Sequence, residues 1–188
     1  MPSPQVLLPQ INWSNLHFYQ KSDTLYQLTA TFCRRFLPPY GDRTVDQMIQ
    51  AARSGKQNIS EGNQAAATSS ETEIKLTNVA KASLEELLND YEDYLRVRNL
   101  PQWGARHPRY EKMRQYARSR QIQQDYAANI QGMNDEELAN LCITLIHQAT
   151  YMLHKLLATM QTRFVTEGGI KERMYQTRLN YRSSMNNQ

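Results

Sequence analysis

One apolar pattern sets the scale of whatever this chain folds into. It runs from Asn134 to Glu167, thirty-four residues with helical periodicity, which as a single helix spans about 50 Å. Asn134 and Glu137 have capping-box spacing, and acidic residues follow at the positive helix end. Gly168-Gly169 stops the run. Leu138, Leu141, Leu145, Ala149, Met152, Leu156 and Met160 form one seam, and Cys142, Ile146, Leu153, Leu157 and Phe164 lie beside it. That stripe is wider than a helix lying on a surface needs. The helix is therefore either central to a bundle or shared with another subunit.

The rest of the chain reads the same way. Leu25, Leu28, Phe32 and Phe36 recur at helical spacing, with Ser22 and Asp23 as caps and Pro38-Pro39 as the end. A second helix is predicted from Asp42–Thr44, with Thr44 and Gln47 as its capping box, Val45, Met48, Ala52 and Ile59 as its stripe, and Gly62 as a left-handed stop. Gly55, inside it, costs about 1 kcal/mol relative to Ala and implies close approach by a neighbour. Ser70 and Glu73 have capping-box spacing before a long helix whose seam is Thr77, Ala80, Leu84, Leu87, Tyr91 and Tyr94. Its solvent side carries Glu85, Glu86, Asp90, Glu92 and Asp93, and Asn99-Leu100-Pro101 closes it. No segment alternates apolar and polar residues, so no sheet is expected.

Composition excludes several classes. At 188 residues and 40% hydrophobic, the chain is long and apolar enough for a core without staples. Cys33 and Cys142 sit in separate helical patterns and read as reduced, buried residues. Asn140, His147, Gln148, His154, Lys155 and Arg163 interrupt the most apolar stretch, Leu138 to Val165, so no membrane span is expected. No secretory leader pattern is visible, and the expected location is the cytoplasm. There is no phosphate loop, no nucleophile elbow and no paired-cysteine motif. Hence no catalytic residues, no cofactor and no enzymatic activity are expected. His147, Tyr151 and His154 share a face, but no carboxylate precedes either histidine at ligand spacing, so no metal is expected. Asn58 and Glu61, beside Gly62, read as satisfying a helix end.

The net charge of +4 is concentrated. Eight basic residues and one acid, Glu111, lie between Arg96 and Arg120; 14 basic and 17 acidic residues remain, a net −3 elsewhere. Such a local excess suits an acidic partner. The basic residues are Arg96, Arg98, Arg106, Arg109, Lys112, Arg114, Arg118 and Arg120, interleaved with Trp103, Tyr110 and Tyr116. Arginine suits bidentate phosphate contact, and aromatic rings suit stacking on unpaired bases. The alternatives are a protein partner or a plain solvated helix. After a loop over 101–108, Pro108 suits the first turn of a helix reaching Gln124 or beyond. Its charges point to several sides, so it is expected to protrude or line a groove, outside the core. Arg53 and Lys56 either extend the basic surface or pair with the acidic side of the next helix.

Asp46-Gln47-Met48, Ala51-Ala52-Arg53-Ser54, Asn58-Ile59 and Glu61-Gly62 form one motif run. Ser70, Glu73, Leu76, Val79-Ala80, Ser83-Leu84 and Glu86-Leu87 continue it. Together they resemble the four-helix-bundle family of ribosomal RNA intervening-sequence proteins and of the accessory variability proteins of diversity-generating retroelements, in its larger suffix-domain subgroup. The resemblance covers roughly 20–100 and 134–175. It implies an all-α, antiparallel four-helix bundle that self-associates, with a pentamer favoured. It also implies RNA or DNA as ligand and a reverse transcriptase as a partner. The departures are an N-terminal arm at 1–16, a basic helical segment inserted at 101–131 within the bundle at 17–169, and a basic tail at 170–188, helical to about 182. A protein–protein scaffold without nucleic acid is the rival reading.

Overall fold

A computed structural model describes residues 7, 12–38, 43–119, 122 and 129–186. Its helices are α1 (His17–Phe36), α2 (Arg43–Ala65), α3 (Ser70–Val97), α4 (Tyr110–Arg118), α5 (Asp135–Glu167) and α6 (Ile170–Asn186), with a 3₁₀ turn at Trp13–Asn15. The fold is all-α, with no strand among the described residues. No described helix is long and apolar enough to cross a membrane.

The long α5 follows its expected limits closely. The Asn134 side chain accepts from the Glu137 amide at 2.8 Å, and the Glu137 carboxylate accepts from the Asn134 amide at 3.2 Å. Gly168, at φ +72°, ends the helix in a conformation that disfavours a side chain. Around α5 the packing closes on itself: α1 touches α2 and α5, and α3 touches α2 and α5. The core between them holds Leu25, Leu28, Phe32, Met48, Leu84, Leu87, Leu141 and Leu145, all fully buried. Phe32 sets its ring against the edges of Tyr91 and Tyr94, with centroids 5.0 and 4.7 Å away. The buried Tyr91 hydroxyl donates to Thr29 Oγ1 at 3.0 Å. Cys33 and Cys142 are free and buried, and burial pushes the Cys142 thiol up to about 12, leaving it unreactive at neutral pH. A carboxylate on α3, Glu73, is buried but meets Arg163 of α5 at 2.5 Å.

Several boundaries differ from the sequence reading. α1 begins at His17, so Ser22 lies inside it and donates to the Phe18 carbonyl instead of capping. Thr44 likewise lies within α2. Gly62 does not stop α2, which continues to Ala65. It is a packing glycine: a Cβ there would sit 3.3 Å from Leu76 Cβ of α3. Gly55 has the expected role, since its Cβ would lie 2.6 Å from Leu84 Cδ2. Ser69, one residue before the expected cap, accepts from the Thr72 amide, which frees Glu73 for Arg163. Asn58 donates back to the Ser54 carbonyl from mid-helix, so it satisfies no helix end. α6 runs four residues further than expected. Most of the N-terminal arm lies outside the described residues.

Candidate nucleic-acid interface

The segment between α3 and α5 is not an excursion from the core. Asn99, at φ +55°, reverses the chain after α3, and the Leu100 amide donates to the Leu95 carbonyl. Asn140 of α5 then clasps the loop. Its Oδ1 accepts from the Trp103 amide at 2.7 Å, and its Nδ2 donates to the Pro101 carbonyl at 3.0 Å. The Trp103 indole donates to Glu136 at 2.6 Å and stacks on His107, with centroids 4.4 Å apart. Further along, Lys21 of α1 donates to the Ala117 carbonyl at the end of α4, and Gln148 of α5 donates to the Arg114 carbonyl at 3.2 Å. Arg35 binds the Ile130 and Met133 carbonyls at 2.6 and 2.7 Å. Trp103, Ala117, Ile122 and Ile130 are buried. The expectation that this segment stands outside the core is therefore corrected: its backbone carbonyls and few apolar side chains fasten it to α1 and α5.

The predicted site residues divide accordingly. Trp103 is only 7% exposed, so its ring faces protein and offers no platform for a base. Lys56 does not join the basic surface, nor does it pair with α3: it meets Asp23 of α1 at 2.9 Å and lies over Tyr26. Arg53 is exposed on α2, which has few contacts in common with α4. Arg96 pairs with Asp93, Arg109 with Glu137, and Arg114 with Glu111. Arg98 lies over Tyr94, 3.9 Å from its ring centre. Arg106, Lys112 and Arg118 are exposed and have no carboxylate partner among the described residues. Tyr110 and Tyr116 are half-buried, and Tyr116 accepts from Asn129. Arg120 lies outside the described residues.

Two grooves flank α4. One, of about 560 Å³, has Arg109, Lys112, Met113 and Tyr116 on one side and Met133 and Glu137 on the other. The second, of about 610 Å³, lies between α4 and α5. It gathers Tyr110, Arg114 and Arg118 with His147, Gln148 and Tyr151. The helical pattern of α5 puts His147, Tyr151 and His154 on one polar face, but the apposition of His147 and Tyr151 to arginines across a groove needs the docking of α4 and leaves no period in the sequence. Compared with protein-family profiles, curated proteins and solved structures, the chain matches none.

The second groove is cationic on its α4 wall. Lys21, beneath the end of α4, has its ammonium pushed down to about 8, first by burial and then by the charge of Arg118. An anion near Arg118 relieves that repulsion, so the arrangement favours negative ligands. Arg114 is held by both Glu111 oxygens, at 2.9 and 3.1 Å, which orients its guanidinium at the surface. No group of three His, Cys, Asp or Glu among the described residues is placed to hold a metal.

Proposed function

We propose that this chain is a non-enzymatic, self-associating accessory or scaffold protein that binds nucleic acid through the groove between α4 and α5. The observation that carries this reading is the grouping of Arg114 and Arg118 with Tyr110, His147 and Tyr151. Guanidinium groups meet phosphates, and exposed aromatic rings take unpaired bases. Single-stranded RNA or DNA fits such a groove better than a duplex, whose bases are already stacked.

The closed cycle of contacts among α1, α2, α3 and α5 supports an antiparallel four-helix bundle of the family that the sequence resembles. That resemblance carries two further proposals, a pentamer and a reverse transcriptase as partner; action in the cytoplasm is proposed from the sequence patterns alone. A protein–protein scaffold is the second reading. The pairing of Arg96, Arg109 and Arg114 with neighbouring carboxylates favours it, because paired arginines have less to gain from phosphate.

Binding of labelled single-stranded RNA and DNA, measured from about 50 to 200 mM salt, separates the two, because phosphate contacts release counterions. Replacing Arg109, Arg114, Arg118 and Arg120 by Ala is expected to lower affinity for all sequences and flatten the salt slope. Replacing Tyr110 and Tyr151 is expected to cost about 1–3 kcal/mol per lost stack on single strands only. Binding to neither nucleic acid at low salt, or unchanged binding by the arginine variant, sinks the reading in favour of the protein scaffold.

A further inference from the structure

Five of the ten most exposed large apolar side chains among the described residues, Met174, Tyr175, Leu179, Tyr181 and Met185, sit on α6. This helix makes few contacts with the rest of the chain. At 17 residues this helix is little longer than the roughly 12–15 below which isolated helices are marginal in water, so with its exposed apolar side chains it is expected to rest on something. At 100° per residue, Ile170, Met174, Thr177, Tyr181 and Met185 fall within about 80° of one another. Lys171, Arg178 and Arg182 cluster along one flank of that stripe. An apolar seam edged with positive charge calls for a partner surface that joins acidic and apolar residues.

One flank of α3, beside α2, supplies an acidic line with a valine at each end. Val79, Ser83, Glu86, Asp90, Asp93 and Val97 recur at spacings of four, three, four, three and four; Ser83 is buried and bonds Ser54 of α2 at 2.9 Å, and the others are exposed or half-buried. Val79 and Val97 are exposed at its ends, 38% and 76% respectively. Asp93 has Arg96 as partner. Glu86 and Asp90 have no cationic partner among the described residues, although Arg43 borders the groove that Glu86 lines. Asp90 Oδ2 is buried without a hydrogen bond. The Asp90 carboxyl is pushed up to about 6, first by burial and then by the charges of Glu86 and Asp93, so the line carries uncompensated negative charge. The dimensions agree: Val79 to Val97 spans about 27 Å as helix, and α6 about 25 Å.

We propose that α6 docks on a second copy of this chain, laid along the α3 line from Val79 to Val97. Lys171, Arg178 and Arg182 then lie along Glu86, Asp90 and Asp93, while the stripe of Met174, Tyr181 and Met185, about 16 Å long, covers one of the two valines. The inference rests on the self-association proposed above and names the surfaces that meet. The chain's own α6 does not reach: Gly168 and Gly169 border the same groove as Ser69 and Ser70, so α6 starts beside the first turn of α3. Folded back from there, about 25 Å of helix ends near the level of Leu87, leaving Asp90, Asp93 and Val97 uncovered. A tail from another copy has no such limit.

Charge exchange in the full chain tests this. One variant carries K171E/R178E/R182E; the other carries E86K/D93K and leaves the half-buried Asp90 in place. Circular dichroism checks that both remain folded, and sedimentation at micromolar concentration reads association. Each variant alone is expected to associate at least tenfold more weakly than the parent, and an equal mixture is expected to recover association, because each tail then meets a line of opposite charge. If either variant alone assembles like the parent, or the mixture recovers nothing, the α6–α3 pairing is wrong while the proposed self-association stands. A parent that stays monomeric sinks both.

Discussion

Phe32 and Trp103 are both buried aromatic side chains, but their surroundings differ in kind. Phe32 is enclosed by hydrocarbon and by ring edges from Phe36, Tyr91 and Tyr94. Trp103 is enclosed by polar clasps: its amide on Asn140, its indole on Glu136, its face on His107. The same contrast holds for the regions around them. The packing of α1, α2, α3 and α5 is apolar interdigitation repeated every three or four residues, whereas the segment from Pro101 to Arg118 is fastened by single side chains that capture backbone groups. The first kind of packing resists truncation through volume and the second through hydrogen-bond satisfaction, so mutations in the two regions are expected to fail differently.

The largest effect is expected in the apolar region. Phe32→Ala removes a fully buried ring and is expected to cost about 3–5 kcal/mol, with Leu145→Ala at about 2–5 kcal/mol. Both losses are expected to be global, lowering the urea midpoint for every helix together. If α4 melts separately while the remaining helices keep their midpoint, the core is not where Phe32 and Leu145 place it.

A smaller, local effect is expected at the clasp. Asn140→Ala strands the buried Trp103 amide, at about 1–3 kcal/mol, and also releases the Pro101 carbonyl. Hydrogen exchange is expected to accelerate from Trp103 through Arg118 and to stay slow in α3. Unchanged exchange in that segment would show that Asn140 does not hold it.

This contrast also explains what the sequence made legible. Period found Leu84, Leu87, Leu141 and Leu145, and the capping box at Asn134 with Gly168-Gly169 predicted the ends of α5 almost to the residue, because a buried helix must repeat its apolar face and close its own ends. Gly55 was read from the absence of a side chain where a neighbour comes close. The basic segment was misplaced for a matching reason. A segment held through its carbonyls by Lys21, Arg35, Asn140 and Gln148 shows nothing of this in its own residues, since every backbone has carbonyls. Trp103 therefore looked like a platform for bases when it is a peg. Lys56 could be read as part of a basic face or as a partner of the next helix, and it is neither, because Asp23 on α1 has claimed it. Of the groove, the arginines and Tyr110 were visible in advance, but their meeting with His147 and Tyr151 was not.

The smallest effect concerns sign, and it separates the two regions by what happens when a charge is removed. In the basic segment, Arg109 pairs with Glu137 while lying over Trp103, so Arg109→Ala is expected to loosen the clasp slightly. On α3 the opposite is expected. The Asp90 carboxyl, ordinarily near 3.8, is raised to about 6 by burial and by Glu86 and Asp93. Between those two values the folded chain holds the proton more tightly than the unfolded chain. Stability therefore falls as pH rises through that window; the penalty is absent below about 4 and complete above about 6. That difference corresponds to about 3 kcal/mol for a dry group, and since this carboxyl keeps part of its surface in water, about 1 kcal/mol is the expected size. Asp90→Asn is then expected to raise the unfolding midpoint at pH 7 and leave it unchanged at pH 4, measured in dilute, unassembled protein. A variant less stable than the parent at pH 7 would mean that Asp90 already has its cation within the chain, and that charge on α3 stabilises the fold as it does around Trp103.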